Sequence, residues 1–347
     1  MSLAVLCIFA LSVRYVIRHP ATAPGLVPRA LDSGVSSGNE RSQAPNTDSL
    51  KLDTRTQKRV IEAAATNLRE HYVDRPLGQQ VADSLLAQER NGGYDGVTDP
   101  AAFADLVTQQ MRNMNADATL TYFRQILPQP TGAPTAQQLA GYRREMEESN
   151  CTFEAVQILK DNVGYFKLNS FPDASVCGAK AVSAMAELNH ADAVIFDLRD
   201  NRGGFPAMTT LIASYLFDHP EYWYNPRENT TEHSWTASPV RGNRLADKPV
   251  YILTSRTTIS GAEQFAYDLK MLKRATLVGE RTAGAAHAGA FFRIDDHFGM
   301  GITEVEAINP FSKSNWNGVG VEPDVKIDAA DALNTAEKLA EAKLAEK

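Results

Sequence analysis

Hydrophobic positions in the first third of the chain recur at the spacing of amphipathic helices. From Thr54 onward, one helical face collects apolar side chains, namely Val60, Ile61, Ala64, Leu68 and Tyr72. Similar patterns predict further helices over residues 79–90, 100–111 and 137–148. Short connections between such helices are typical of a small antiparallel bundle, so the pattern predicts an N-terminal helical bundle over residues 54–148.

After residue 149 the pattern changes to short apolar runs that alternate with helical segments. It predicts strands over 153–159, 163–168, 193–198, 250–254 and 275–278, with helices over 177–188, 208–216 and 262–272 between them. The runs AVIFDL and VYILT are apolar without alternation, which is typical of strands covered on both faces. Strand, turn and helix in repetition predict an α/β core over residues 149–340, with ligands at the carboxyl ends of the strands.

The N-terminus differs from both segments. Leu3–Val13 is an apolar run as long as the hydrophobic region of a signal peptide, and Ala21-Thr-Ala23 has the spacing of a cleavage site. The positively charged segment that normally precedes such a run is missing. We predict a signal peptide or membrane anchor over residues 1–23, followed by a Pro- and Ser-rich disordered linker over 24–53. The expected location is therefore exported, either periplasmic or secreted, with membrane contact only through such an anchor.

Charge and cysteine content narrow the function classes. A formal net charge of -7 argues against a nucleic-acid partner or an anionic membrane surface. No Cys/His cluster has zinc-ligand spacing, so we expect neither a metal nor a cofactor. Cys7 would leave with a signal peptide. Cys151 and Cys177 would then either pair in an oxidising compartment or stay as buried thiols, and the sequence leaves both open. It also leaves the oligomeric state undetermined.

Two strand-to-helix turns carry the candidate chemistry. AVIFDL is followed by RDNRGG, and VYILT by SRTTISGAEQF, in which Ser260 directly precedes a helix. A helix N-terminus offers free N–H donors and favours developing negative charge. Gly261, together with Gly203 or Gly204, would form an oxyanion hole around a nucleophilic Ser260. The alternative is structural, because Ser260 and Glu263 also have the S-x-x-E spacing of a helix capping box.

Several long motifs, in order, resemble the tail-specific (C-terminal processing) serine peptidases. They are VIFDLRDNRGGFPAM, GNRLADKPVYILTSRTTISGAEQFAYDLKMLKRATLVGERTAGAAH and NWNGVGVEPDV. The chain is particularly similar to the interphotoreceptor retinoid-binding protein-like branch, and its segment NGGYDGVTDPAAFADLV resembles the helical leader of that branch. The resemblance implies a ββα-superhelix core of the crotonase/ClpP type. It also implies metal-independent cleavage of peptide bonds near protein C-termini or in unfolded chains, with Ser260 as nucleophile.

The same resemblance shows departures at the positions that activate the serine. Where the bacterial processing peptidases have a lysine, this chain has Ala285 in GERTAGAAHAG. The tricorn-like branch uses a histidine from the leader and a glutamate near the C-terminus. Those positions read Thr119 and Asn317 here. The usual general base and its partners are therefore replaced, which leaves catalytic competence open.

His287 is the remaining candidate base. It lies two residues beyond the lysine position in the same loop, and a neutral imidazole accepts a proton near neutral pH. The alternative is a packing or hydrogen-bonding histidine. Lys270 and Lys273 lie too close to Ser260 along its helix to replace the lysine. His233 and His297 have no argument beyond surface exposure.

Two functions follow, from different classes. The first is a serine-type endopeptidase, a hydrolase acting on peptides or unfolded exported proteins. The alternative is a catalytically degenerate member of the family that binds a peptide or an apolar ligand. The sequence leaves no room for a PDZ-like module between the leader and the core. Substrate selection would then depend on the bundle and on the aromatic-rich insertion Tyr222–Arg244, whose alternative is an ordinary surface loop.

Overall fold

A computed structural model describes residues 51–129, 134–219, 221–225, 230–234, 236, 245–309 and 311–346. The predicted signal peptide or anchor, and the predicted linker up to residue 50, lie outside the described residues. Among the described residues, no helix combines the length and the apolar character that crossing a membrane requires.

The α-helices and strands of the described residues include the predicted elements and six further strands. They are α1 (Thr54–His71), α2 (Arg75–Arg90), α3 (Pro100–Asn113), β1 (Ala118–Tyr122), α4 (Ala136–Glu148), β2 (Phe153–Leu159), β3 (Val163–Leu168), α5 (Ala174–Leu188), β4 (Ala193–Asp197), α6 (Pro206–Ala213), β5 (Tyr222–Asn225), β6 (Thr230–Ser234), β7 (Val250–Thr254), α7 (Gly261–Met271), β8 (Thr276–Gly279), β9 (His287–Arg293), β10 (Phe298–Glu306), β11 (Val325–Lys326) and α8 (Ala332–Ala345).

One of two compact units is mainly helical and contains the described residues 51–129 and 290–302. Each of its helices begins behind an aspartate whose carboxylate accepts a backbone N–H, the three caps being Asp53, Asp74 and Asp99. The predicted apolar face of α1 is buried. β1 is an addition to the predicted bundle, and it pairs antiparallel with residues 298–302. Asp53 thus belongs to the folded unit, although the sequence pattern places it in the linker.

The other unit is built on a six-stranded sheet and contains residues 134–289 and 303–346, apart from those not described. The strand order is β11-β8-β7-β4-β3-β2. All neighbouring pairs are parallel except β2 with β3, which is antiparallel. The α/β prediction is therefore confirmed, with a mixed sheet.

Both faces of this sheet are covered, as the unbroken apolar runs of β4 and β7 predict. One face packs with α5, α6 and α7 in the larger core, which includes Phe196, Ile252 and Phe265. The other face packs against the alanine-rich α8, through residues such as Ile195 and Leu253. Every residue of β4 and β7 is buried. Side chains for chemistry must therefore come from the loops at the strand ends.

α4 lies with the α/β unit rather than with the helices that precede it. Its Met146 is buried in the larger core, and the hydroxyl of Tyr142 accepts the N–H of Asp173 (2.9 Å) at the start of α5. These contacts account for the placement, which propensity alone does not reveal. The two compact units do not divide at residues 148/149, where the sequence pattern places the domain boundary. That boundary stays a prediction.

Cys151 and Cys177 are joined by a disulfide, with their Cα atoms 5.9 Å apart. Of the two states that the sequence left open, the structure has the bonded one. The bond attaches α5 to a turn with an unusual backbone. In this turn Asn150, Cys151 and Thr152 all have positive φ, between 55° and 60°. Such backbone is costly for residues with side chains and persists where surrounding bonds hold it.

Candidate active site

Ser260 lies where the chain leaves the loop after β7 and enters α7. Its backbone has φ 59° and ψ -123°. By contrast, Thr135, which caps α4, has φ -66° and ψ 157°, and Asp99, which caps α3, has φ -85° and ψ 122°. The extended conformation of Thr135 and Asp99 is the usual one for an N-cap residue. Capping therefore does not account for the backbone angles of Ser260. Strained conformations of this kind cost about 1–3 kcal/mol and cluster at active sites. The backbone therefore favours the catalytic interpretation.

Hydrogen bonds to the loop after β4 hold this turn. The Thr258 hydroxyl donates to the Leu198 carbonyl (2.8 Å) and accepts the Ser255 N–H (2.9 Å). The Ile259 N–H donates to the Asn201 carbonyl (3.2 Å). The two loops at the carboxyl ends of β4 and β7 are thus bonded side by side. Together these bonds hold a conformation that Ser260 alone would disfavour.

Glu263 ties the Ser260 turn to the loop that follows β8. Its buried carboxylate accepts the N–H groups of Ser260 and Ala285 through one oxygen, at 2.8 Å each. The other oxygen accepts the Gly284 N–H (2.6 Å) and the Thr282 hydroxyl (2.5 Å). The bond to Ser260 is the one that a capping box predicts, and the remaining three go beyond it. Because Ser260 and Ala285 donate to the same oxygen, their backbones lie next to each other.

The two glycines after β4 are not equivalent as donors. The Gly203 N–H donates to Oδ1 of Asn201 (2.8 Å) and is already used. Phe171 makes backbone bonds to the residues on either side of Gly204 (2.7 Å each), so the N–H of Gly204 itself points away from Phe171. A Cβ on Gly261 would lie 3.1 Å from the Gly204 nitrogen. Of the predicted oxyanion donors, Gly204 and Gly261 therefore lie together, and Gly203 holds the loop.

Asn201 organises this region, and the sequence interpretation did not single it out. Its side chain is buried, and Nδ2 donates to the Leu168 carbonyl (2.8 Å) at the end of β3. Its Oδ1 accepts the Gly203 N–H, two residues on. An asparagine bonded to the backbone two residues later is typical of an Asx turn. The Asn-x-Gly spacing in RDNRGG is the signal that would have identified it.

Ala285 and Asn317 lie side by side with backbone roles. The Trp316 indole donates to the Ala285 carbonyl (3.1 Å), and Oδ1 of Asn317 accepts the Ala286 N–H (3.2 Å). The methyl group of Ala285 has no acid–base function. The neutral amide of Asn317 serves as a hydrogen-bond acceptor for the loop. At these two positions the chain thus holds backbone groups of the loop in place.

His287 begins β9, directly after this loop. Its side chain is only 17% exposed, and its Nε2 lies 3.9 Å from Oε1 of Glu306. The same glutamate oxygen accepts the side-chain amide of Asn315 (2.7 Å). His287 follows Ala285 by two residues, and Glu263 holds Ala285 next to Ser260. His287 therefore follows closely, along the chain, the loop that Glu263 ties to Ser260, and its imidazole has the Glu306 carboxylate as a neighbour.

The other residues named from the sequence make the following contacts. Thr119 is on β1 opposite Gly301, in the helical unit, whereas Ser260 belongs to the α/β unit. Lys270 forms an ion pair with Asp324 (2.8 Å), as expected for a lysine without a catalytic role. His297 directs Nδ1 to the Phe123 carbonyl (3.0 Å). His233 lies on β6, and its side chain lies outside the description. The described residues contain no group of His, Cys, Asp or Glu side chains that could hold a metal ion.

Comparison with known proteins shows which family and fold the chain resembles. Residues 162–327 match the model of peptidase family S41. A carboxyl-terminal-processing protease of Synechocystis sp. is 29% identical over 167 residues, covering 48% of the chain and 38% of the relative. One from Picosynechococcus sp. is 30% identical over 166 residues, covering 47% and 39%. The chain thus spans about two fifths of the length of these relatives.

Solved structures support the fold. The photosystem II D1 C-terminal processing protease superposes with a TM-score of 0.50 at 16% identity, covering 79% of this chain and 94% of that one. A lipoprotein from Streptococcus agalactiae gives a TM-score of 0.53 at 13% identity, covering 83% and 96%. At such identities the likeness concerns the fold alone. The resemblance to a retinoid-binding protein-like branch stays a prediction.

Proposed function

Residues 162–327 belong to peptidase family S41, and from this premise we propose that the chain is a serine-type endopeptidase with Ser260 as its nucleophile. The observation that carries the proposal is the strained Ser260 backbone at the N-terminus of α7, beside Gly204 and Gly261. A serine that only capped the helix would have no need of that conformation.

In the proposed mechanism, Oγ of Ser260 attacks the carbonyl carbon of the scissile peptide bond. The carbonyl oxygen gains negative charge, and the N–H groups of Gly261 and Gly204 donate to it. Such preorganised donors act where charge develops, and losing one costs roughly 2.7–4 kcal/mol of transition-state stabilisation. The amine leaves with a proton, and water then hydrolyses the acyl-enzyme. The Asx turn of Asn201 and the bridge to Phe171 keep Gly204 oriented.

We assign the general base to His287. A neutral imidazole takes the serine proton and later gives it to the leaving amine. The partly buried position of His287 and its carboxylate neighbour, Glu306, suit this role, because a carboxylate stabilises the imidazolium formed on attack. The assignment also explains how the chain could act with alanine at position 285. Thr119 and Asn317 then have no part in proton transfer.

The substrates we propose are peptides or unfolded proteins, cleaved near their C-termini, because the relatives are named as C-terminal processing enzymes. The Cys151–Cys177 disulfide supports an exported location, since disulfides persist in oxidising compartments. A signal peptide or anchor over residues 1–23 belongs to the same proposal. We propose no nucleic-acid partner for a chain of this net charge.

Labelling with a fluorophosphonate and turnover of unfolded casein test the proposal together. Wild type should be labelled at Ser260 and should cleave casein, and Ser260→Ala should do neither. His287→Ala should lose turnover, because no imidazole remains to take the proton of the Ser260 hydroxyl. His297→Ala is the matched control, since Nδ1 of that histidine is directed to the Phe123 carbonyl.

Two results would contradict parts of the proposal. Folded wild type that is neither labelled nor active would indicate the alternative, a degenerate member that binds a peptide or an apolar ligand. Labelling that persists in His287→Ala with full turnover would leave Ser260 as nucleophile and remove His287 as base.

A further inference from the structure

Arg202 lies in the loop after β4, and its side chain reaches toward the loop after β7. It directly precedes Gly203, and its N–H donates to the Asn169 carbonyl (2.9 Å), which fixes its backbone. Its side chain is exposed, and Nη1 reaches the carbonyl of Thr257 at 3.4 Å, three residues before Ser260. That distance makes the bond a weak one. A guanidinium has five N–H donors in a rigid fork, so most of its capacity is left for a ligand.

The neighbouring cations at this edge of the sheet all have carboxylate partners. These pairs are Lys167 with Glu154 (2.9 Å) and Asp200 (3.0 Å), Arg199 with Asp197 (2.6 Å), and Arg256 with Glu280 (3.1 Å). Arg202 differs, because no carboxylate of the described residues lies within ion-pair distance of it. Lys167 is shared by two carboxylates, one of which belongs to Asp200, two positions before Arg202. Among the described residues at this edge, Arg202 is therefore the cation without an ion-pair contact.

We propose that Arg202 binds a carboxylate of the peptide substrate and so selects where the chain is cut. The inference rests on the proposed peptidase function. Guanidinium and carboxylate form paired, charge-assisted hydrogen bonds, and Lys does not reproduce that fork. From the backbone of Arg202, the side chain spans about two residues of an extended peptide. The carboxylate bound is therefore close to the scissile bond, and it is either the substrate's C-terminus or an Asp or Glu side chain.

Binding to Ser260→Ala, which leaves the peptide uncut, tests the inference directly. Three fluorescein-labelled oligoalanine peptides serve as probes. One ends in a free carboxylate, one in an amide, and one in an amide with a glutamate near the end. In fluorescence anisotropy, the free-acid peptide should bind about tenfold more tightly than the amide. If a side-chain carboxylate is the preferred source, the glutamate peptide should show that gain instead.

Adding Arg202→Gln should abolish the difference between acid and amide, and Arg202→Lys should restore only part of it. Arg256→Gln is the matched control, since Arg256 is exposed on the same edge but paired with Glu280. Equal binding of all three peptides, no binding, or a preference that survives Arg202→Gln would overturn the inference. Casein turnover by wild type is measured separately. Casein turnover without a preference for carboxylate peptides would contradict only the role of Arg202. Carboxylate-dependent binding without turnover would contradict only the peptidase proposal.

Discussion

The carboxylate of Glu263 accepts the backbone N–H of Ser260 at 2.8 Å, and with the same oxygen it accepts the N–H of Ala285. One buried group thus sets the position of the proposed nucleophile and of the loop that leads to the proposed base. This relationship makes Glu263 a positioning residue for two partners that are distant in sequence.

Glu263→Gln should destabilise the protein by about 2–4 kcal/mol. The amide keeps the shape, but its NH₂ group cannot accept, so two of the four donors are left facing another donor. The drop should be visible as a lower urea midpoint, with a loss of casein turnover in the protein that remains folded. Glu346→Gln, at an exposed ion pair with Lys343, is the control and should change neither. An unchanged midpoint for Glu263→Gln would contradict the four-donor arrangement.

The strain at Ser260 predicts a difference between two variants that are equally inactive. Ser260→Gly removes the side chain that makes φ 59° costly, whereas Ser260→Ala keeps a Cβ there. A glycine at this position would also add freedom to the unfolded chain, so the net gain over Ser260→Ala should be about 1 kcal/mol. Thermal unfolding of the two variants measures it. A lower Tm for Ser260→Gly than for Ser260→Ala would show that the turn is relaxed.

Asp268, on α7, makes stability depend on pH. Burial raises its pKa to about 8, while hydrogen bonds from Asn309 and Gln264 oppose the shift. Between the ordinary value and about 8, the folded state keeps a proton that the unfolded state releases, so the contribution to stability falls as pH rises and levels off above 8. Asp268→Asn has no proton to lose and can still accept from Asn309. Its advantage in unfolding free energy should grow by about 4 kcal/mol from pH 5 to pH 8.

Urea unfolding of both proteins at several pH values provides the measurement. A constant difference across that range would mean that Asp268 titrates alike in the folded and unfolded states. Asp296→Asn, at an exposed aspartate, is a suitable comparison.

Removal of the disulfide should weaken the α/β unit. The Cys151–Cys177 bond closes a loop of 26 residues, and chain entropy assigns about 3.5 kcal/mol to such a closure. The turn it holds also reaches the site, because the Thr152 carbonyl accepts the N–H of Asn169 (2.9 Å), just before Phe171 and its bridge to Gly204. Cys151→Ser with Cys177→Ser should therefore lower both Tm and turnover. Equal Tm in oxidised and reduced wild type would contradict this.

Much of the fold could be predicted from the sequence because it depends on interactions between residues that are close along the chain. The unbroken apolar runs of β4 and β7 identify strands buried on both faces. The turn after β7 left capping and catalysis open for Ser260, and its role as nucleophile stays a prediction taken from the family resemblance. Contacts between distant segments could not be predicted in this way. The placement of α4 depends on Met146 meeting the larger core. The unequal roles of Gly203 and Gly204 depend on their contacts with Asn201 and Phe171. The sequence motif alone does not distinguish the two glycines.

The bonds around Ser260 come from segments far apart along the chain. Asn201 links the end of β3 to the residue before Ser260, and Glu263 reaches forward to Gly284 and Ala285. None of these partners is in place until most of the sheet has formed. An unfolded copy of the chain lacks these bonds, so its Ser260 is an ordinary serine. Under the proposed peptidase function, only a folded copy would therefore cut other chains.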